Sequence, residues 1–180
     1  MILREMADGL ILDLVDQGLV TSQIVLTVGY DKDNPESGYT GETQTDLYGR
    51  KLPKAAHGSA NLGRHTSSTR LIMDAVMELY ERIVDRKLSV RRMYVVAANV
   101  IRNEDAKEPE AEQLNLFTDY GQESRRREQE RAALARERNK QQALLAIKKK
   151  YGKNAILPGT SYQEGATGRD RNRQIGGHRA

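Results

Sequence analysis

Residues 113–117 (QLNLF) have the types and the spacing of a peptide that binds another protein. They include Phe117, the single phenylalanine of the chain, and they follow the charged stretch 103–112. A polar stretch offers Leu116 and Phe117 no core of their own, so these side chains suit apolar pockets on a partner. The amide of Gln113 suits directional hydrogen bonds. The alternative is a short strand or helix end that packs against the residues before it.

The side chains that could perform acid–base or metal chemistry are scattered along the sequence. Asp13, Asp16, Glu42 and Asp46 fall on a predicted helix face and in a loop, without the grouped carboxylates that hold two magnesium ions. The three histidines are far apart, and the absence of cysteine excludes disulfides, thiol nucleophiles and Cys-ligated zinc. Solvated surface acids are the simpler interpretation, so no catalytic or metal-binding residue is assigned.

The charge is unevenly distributed. The chain of 180 residues has a net charge of +4. Residues 121–180 hold 15 Lys/Arg against 6 Asp/Glu, a net of +9, which leaves −5 for residues 1–120. A basic C-terminal third suits a polyanion through salt-sensitive contacts, and a solvated charged helix is an equally simple interpretation.

Hydrophobic periodicity predicts the elements that must position these residues. The order is a helix over 2–18, a strand over 21–30, a strand over 57–64, a helix that follows the N-cap hydroxyls of 66–69, and a strand over 90–101. One more strand in front would complete the ferredoxin-like βαββαβ arrangement, in which the first strand commonly lies inside the sheet. The predicted fold class is α+β, with that strand missing.

The C-terminal part differs in composition. Residues 121–151 favour a charged helix with an apolar seam too thin for a coiled coil, and residues 152–180 favour a basic flexible tail. The predicted organisation is a domain over 1–102, a linker over 103–120, the helix and the tail. The longest apolar run is too short to cross a bilayer, and the N-terminus lacks a signal-peptide pattern, so no membrane partner and a cytoplasmic location are expected.

Taken together, these segments resemble the C-terminal part of a Y-family translesion DNA polymerase of the UmuC-like, UV-damage-repair branch. The resemblance spans nearly the whole chain, and the motif QLNLF after the last strand is its most specific part. The segments that carry it are 5–8 (EMAD), 18–20 (GLV), 59–69 (SANLGRHTSST), 90–92 (VRR), 113–117 (QLNLF), 153–157 (KNAIL), 164–167 (EGAT), 171–172 (RN) and 174–178 (QIGGH).

The resemblance implies that residues 1–102 form a little finger, a DNA-binding domain whose sheet lies against the duplex backbone. It implies phosphate contacts without sequence readout, as bypass of a damaged primer–template requires. The residues that it places at the DNA are Asn61, Arg64, His65, Arg91 and Arg92.

The resemblance also implies that Gln113, Leu114, Leu116 and Phe117 bind the bacterial sliding clamp. The parent protein would be an error-prone DNA polymerase of the SOS response to DNA damage. Its palm and magnesium ions would lie upstream of Met1, so no cofactor is expected in this chain. The alternative is a stand-alone, non-catalytic adaptor that binds the clamp and nucleic acid, and in-frame palm sequence upstream of Met1 would decide against it.

Overall fold

A computed structural model of the chain describes residues 1–36, 38–106, 120–175 and 178–179. The clamp-motif residues Gln113, Leu114, Leu116 and Phe117 lie outside the described residues. The described helices are α1 (Ile2–Asp16), α2 (Asp33–Glu36), α3 (Thr69–Ile83), α4 (Tyr120–Tyr151) and α5 (Gly168–Arg171). The described strands are β1 (Leu19–Tyr30), β2 (Thr43–Thr45), β3 (Lys51–Pro53), β4 (Ala56–Thr66), β5 (Val90–Ala98), β6 (Ile101–Arg102), β7 (Gln174–Ile175) and β8 (His178–Arg179).

Strand β1 is the centre of the main sheet. It pairs antiparallel with β4 on one side and with β5 on the other, and its first residues pair with β6. Helices flank this antiparallel sheet, so the predicted α+β class is confirmed. In the described sheet, β1 hydrogen-bonds directly to both β4 and β5, so there is no gap between these three strands.

The core lies between the sheet and two helices, α1 and α3. Ile24, Leu26 and Val28 of β1 alternate with more exposed residues, so the branched and long side chains of one face are fully buried. Each such buried side chain contributes about 1.5–3 kcal/mol. The helical residues packed against them recur at the spacing of one helix face: Leu3, Ala7, Ile11 and Leu14 in α1, and Ile72, Val76 and Leu79 in α3.

Local signals set the helix ends and the long connection. Gly18 follows α1 with a φ of +67°, a left-handed conformation that suits glycine. Ser68 caps α3, and its Oγ accepts a hydrogen bond from the Leu71 N–H at 3.4 Å. Between β1 and β4, the short helix α2 and the hairpin β2–β3 form the connection.

Helix α4 lies against the domain through a mainly polar set of side chains. The residues at spacings of three and four that turn toward the domain are here called the polar stripe: Glu130, Leu134, Glu137, Gln141, Leu144 and Lys148. Gln141 is 4% exposed, and its Nε2 donates to the Ser67 carbonyl and to Thr69 Oγ1, both at 2.9 Å. Hydrogen bonds and ion pairs therefore hold the helix, in agreement with a sequence that lacks a continuous leucine seam.

The segment after α4 returns to α1. Glu5 Oε2 accepts hydrogen bonds from the Thr167 N–H at 3.2 Å, from Thr167 Oγ1 at 3.3 Å and from Arg171 Nη2 at 3.2 Å. Asn172 Nδ2 donates to Asn154 Oδ1 at 2.8 Å within the segment. The described residues of the segment that the sequence predicted as a flexible tail thus contact both α1 and one another.

Candidate nucleic-acid interface

The face of the sheet that turns away from α1 and α3 carries the candidate site. Alternation along the strands brings one set of side chains to this surface, which we call the open face. Its register places Thr27 between His57 and Tyr94, and Val25 between Ser59 and Val96. The residues of the open face are Gln23, Val25 and Thr27 of β1, His57, Ser59 and Asn61 of β4, and Arg92, Tyr94 and Val96 of β5.

The open face combines apolar, aromatic and hydrogen-bonding groups that solvent can reach. Tyr94 is 53% exposed and Val96 is 51% exposed, although both lie in the middle of a strand. Thr27 Oγ1 and His57 Nδ1 are 2.9 Å apart and form a cross-strand hydrogen bond. Tyr94 and Val96 therefore lie next to each other on one face of β5, where solvent reaches both.

Arg92 supplies positive charge at one end of the open face. It pairs with Gly29 in register, and a Cβ atom at Gly29 would lie 3.0 Å from Arg92 Cγ. The aliphatic stem of Arg92 thus lies across Gly29, where a larger residue would displace it. Arg91 follows Val90 at the irregularity in pairing beside Tyr30, and its side chain is exposed.

The other predicted DNA-contact residues are placed differently. Asn61 lies on the open face, and its Oδ1 accepts the Gly63 N–H at 2.8 Å, which closes a turn at the point where Gly63 has a φ of +72°. His65 is half-buried near the end of β4. The structure therefore brings Asn61 and Arg92 to one surface, with Arg91 beside it, and places His65 apart from them.

Arg64 is engaged with α4. Its Nη2 atom lies 2.6 Å from Glu130 Oε1, with 25% of the arginine side chain and 42% of the glutamate side chain exposed. This hydrogen bond and the positive charge of Arg64 lower the pKa of Glu130 below its usual value. A carboxylate of α4 thus occupies one hydrogen-bonding position on the Arg64 guanidinium.

The comparison with known proteins decides the family. The model of the impB/mucB/samB family C-terminal domain matches residues 1–116. The chain belongs to this family. The matched region is a C-terminal part of a UmuC-like Y-family polymerase. No curated protein and no solved structure was found to match the chain.

The match to the impB/mucB/samB family covers every element from α1 to β6 and reaches Leu116 of the predicted clamp motif. In the part of this family member that the structure describes, no three His, Asp or Glu side chains are grouped as a metal site. Among the same residues, no helix combines the length and the hydropathy that a bilayer crossing requires.

Sequence reasoning missed several residues of the open face. It assigns Thr27, His57, Tyr94 and Val96 only to strands, although β5 carries a usable signal. The outward positions of β5 hold Arg92, Tyr94 and Val96. A polar residue is usual at a solvent-facing strand position, so the apolar Val96 is the signal. The contact of Arg64 with Glu130 had no such signal, because 66 residues separate the two.

Proposed function

We propose that this C-terminal domain holds DNA against its open face, as part of an error-prone translesion polymerase that acts in DNA repair and the SOS response. The observation that carries the proposal is the open face itself, with Arg92, Tyr94 and Val96 exposed on a sheet whose opposite face packs against α1 and α3. The family match supports DNA interaction in general. No cofactor is assigned to this chain, and magnesium would belong to the catalytic domain of the polymerase.

The chemistry of the open face favours backbone contacts. Arginine and hydroxyl groups bind phosphate oxygens and sugars. Such contacts position a duplex without reading its bases. Arg92 supplies the charge, Ser59 and Thr27 supply hydroxyls, and Tyr94 and Val96 supply apolar surface for the sugar edges. Binding should be independent of sequence and should weaken steeply as salt is raised, because phosphate contacts release counterions.

The DNA proposal is tested with a labelled primer–template. Replacing Arg92 and Tyr94 together by Ala should weaken binding by about tenfold or more and lower the salt slope by about 1. Arg86→Ala is the matched control, because Arg86 is exposed and pairs with Glu81 at the end of α3. Fluorescence anisotropy at two ionic strengths gives both quantities. Equal losses for the two variants, or a strong preference for one sequence, would contradict the proposal.

We also propose that residues 113–117 bind the sliding clamp, with Leu116 and Phe117 as the apolar anchors. The residue pattern of this segment supports the proposal. Each apolar anchor, when buried on the clamp, would contribute roughly 1.5–3 kcal/mol to binding. Losing both would move a micromolar interaction beyond detection. The family match extends to Leu116, so the matched region includes most of this segment together with the domain.

The clamp proposal is tested by titrating purified clamp with the double variant Leu116→Ala, Phe117→Ala. The control replaces Leu47 and Tyr48 by Ala, because these apolar residues are 102% and 82% exposed on the turn between β2 and β3. Unchanged clamp affinity in the motif variant would contradict the clamp proposal. An equal loss of affinity in the control would show that the effect is not specific to the motif.

A further inference from the structure

We propose that α4 competes with DNA for Arg64 and masks this arginine until DNA binds. The inference rests on the proposed DNA-binding function and assigns its regulation. The guanidinium of Arg64 is bound to Glu130, with 2.6 Å between Nη2 and Oε1. DNA phosphate would replace that carboxylate, and α4 would leave the domain surface.

The position of Arg64 makes this exchange accessible. It lies in the same strand as Asn61 of the open face, three residues further on, after the turn at Gly63. A quarter of its side chain remains exposed beside Glu130, so an incoming phosphate can reach the guanidinium before the carboxylate leaves. Both ligands are anions that accept from the same guanidinium, so their charges repel each other at short distance and the stronger ligand displaces the weaker.

The way α4 docks makes it detachable. Glu137 accepts from Ser68 Oγ at 2.7 Å and from the Arg70 N–H at 3.0 Å, and Gln141 adds two more hydrogen bonds. The partly buried apolar residues of α4 are Leu134, Leu144, Leu145 and Ile147, and a gap of nine residues separates the first of them from the rest. Partly exposed ion pairs contribute little net stability and are screened by salt, so a helix held in this way is released more easily than one held by a leucine seam.

The charge of α4 provides the driving force for release. Residues 120–151 hold 10 Lys/Arg against 4 Asp/Glu, a net of +6. Two of the four acids, Glu130 and Glu137, turn toward the domain, whereas Arg125, Arg126 and Arg136 are exposed. A duplex at the open face would attract the basic surface of α4 and replace the inward carboxylates with phosphates.

Glu130→Gln is the variant that tests the competition, and Glu128→Gln is its matched control. Glu128 lies in the same helix, is exposed and undergoes the same change of charge. Binding of a labelled primer–template should tighten by about threefold to tenfold for Glu130→Gln. The change for Glu128→Gln should stay below about twofold. In an Arg64→Ala background, the two glutamate variants should have equal effects.

A second measurement follows α4 itself. The chain has no cysteine, so Glu128→Cys and Glu78→Cys place one label on α4 and one on the exposed side of α3 in an otherwise native chain. Energy transfer between the labels should fall when DNA is added. Equal effects of the two Gln variants, or a label distance that DNA does not change, would overturn the masking and leave DNA binding intact. A wild-type chain that binds no DNA would overturn the function and the masking together.

Discussion

Glu5 and Arg171 are 166 residues apart in the sequence, and their side chains meet at 3.2 Å on the surface of α1. The Glu5 side chain is only 7% exposed, and it also accepts from the backbone and the hydroxyl of Thr167. Glu5 Oε1 and Arg171 Nε are buried without a hydrogen-bond partner among the described residues. This carboxylate of α1 therefore joins the C-terminal segment to the domain by three hydrogen bonds.

Glu5→Ala should detach this segment and destabilise the protein by about 1–3 kcal/mol, because Arg171 and the Thr167 N–H would lose their acceptor. The expected fall in Tm is about 2–4 °C for each kcal/mol. Glu104→Ala is the control, since Glu104 pairs with Arg102 in solvent and should change Tm little. An unaltered Tm for Glu5→Ala, with the segment still resistant to proteolysis, would contradict this attachment.

Gln141→Ala should weaken the docking of α4. The change removes two hydrogen bonds at 2.9 Å and leaves the Ser67 carbonyl and Thr69 Oγ1 without these donors, at a cost of about 1–3 kcal/mol. The neighbouring exposed residue gives the control Gln142→Ala, which has the same helix propensity change. Hydrogen exchange of the α4 amides measures the difference, and equal protection in the two variants would argue against a docking role for Gln141.

Asp8→Asn should stabilise the protein at neutral pH. Burial raises the pKa of Asp8 above its ordinary value of 3.8, and the charges of Lys148 and Lys140 offset this effect only in part. The ionised carboxylate is thus unfavourable in the folded state. Its cost is absent below the ordinary pKa and develops as pH rises through the raised pKa.

Urea unfolding at about pH 3 and pH 7 tests the sign of this effect. The variant should be more stable than the wild type at neutral pH and equally stable in acid. A variant that is less stable at neutral pH would show that the attraction of Lys148 and Lys140 to Asp8 outweighs its burial.

Two glycines of the domain should respond to alanine in opposite directions. Gly9 lies inside α1, and no atom lies within 4 Å of the position that a Cβ would take there, so Gly9→Ala should stabilise the helix by about 0.5–1 kcal/mol. A Cβ at Gly58 would lie 3.1 Å from Leu79 Cδ1 and from Ile83 Cγ2, so Gly58→Ala should destabilise by about 1–3 kcal/mol. Thermal unfolding measures both, and shifts of the same sign would contradict this packing of β4 against α3.

Hydrophobic periodicity predicted the parts of the fold that apolar side chains hold together. The stripes of α1 and α3 and the alternation of β1 indicated these three elements within a few residues of their observed ends. Periodicity could not predict the strand order, because the pairing of β1 with both β4 and β5 depends on contacts between segments that are distant in the sequence.

The candidate site was predictable only where it follows strand alternation. Asn61 and Arg92 reach the open face because their positions in β4 and β5 point outward. The contacts of Arg64 with Glu130 and of Glu5 with Thr167 join residues far apart in the sequence by polar groups. Hydropathy carries no signal for such contacts. The sequence therefore could not predict where α4 and the C-terminal segment contact the domain.

The polar stripe also fixes α4 at a single longitudinal position. A helix with a leucine at each repeat can slide by seven residues and still contact apolar partners, because one leucine takes the place of another. If α4 slid by seven residues, Leu144 would replace Glu137 at Ser68, and Lys148 would replace the buried Gln141 at Thr69. Neither replacement restores the lost hydrogen bonds. A seven-residue slide of α4 is therefore unfavourable, and its inward polar groups select one alignment on the domain surface.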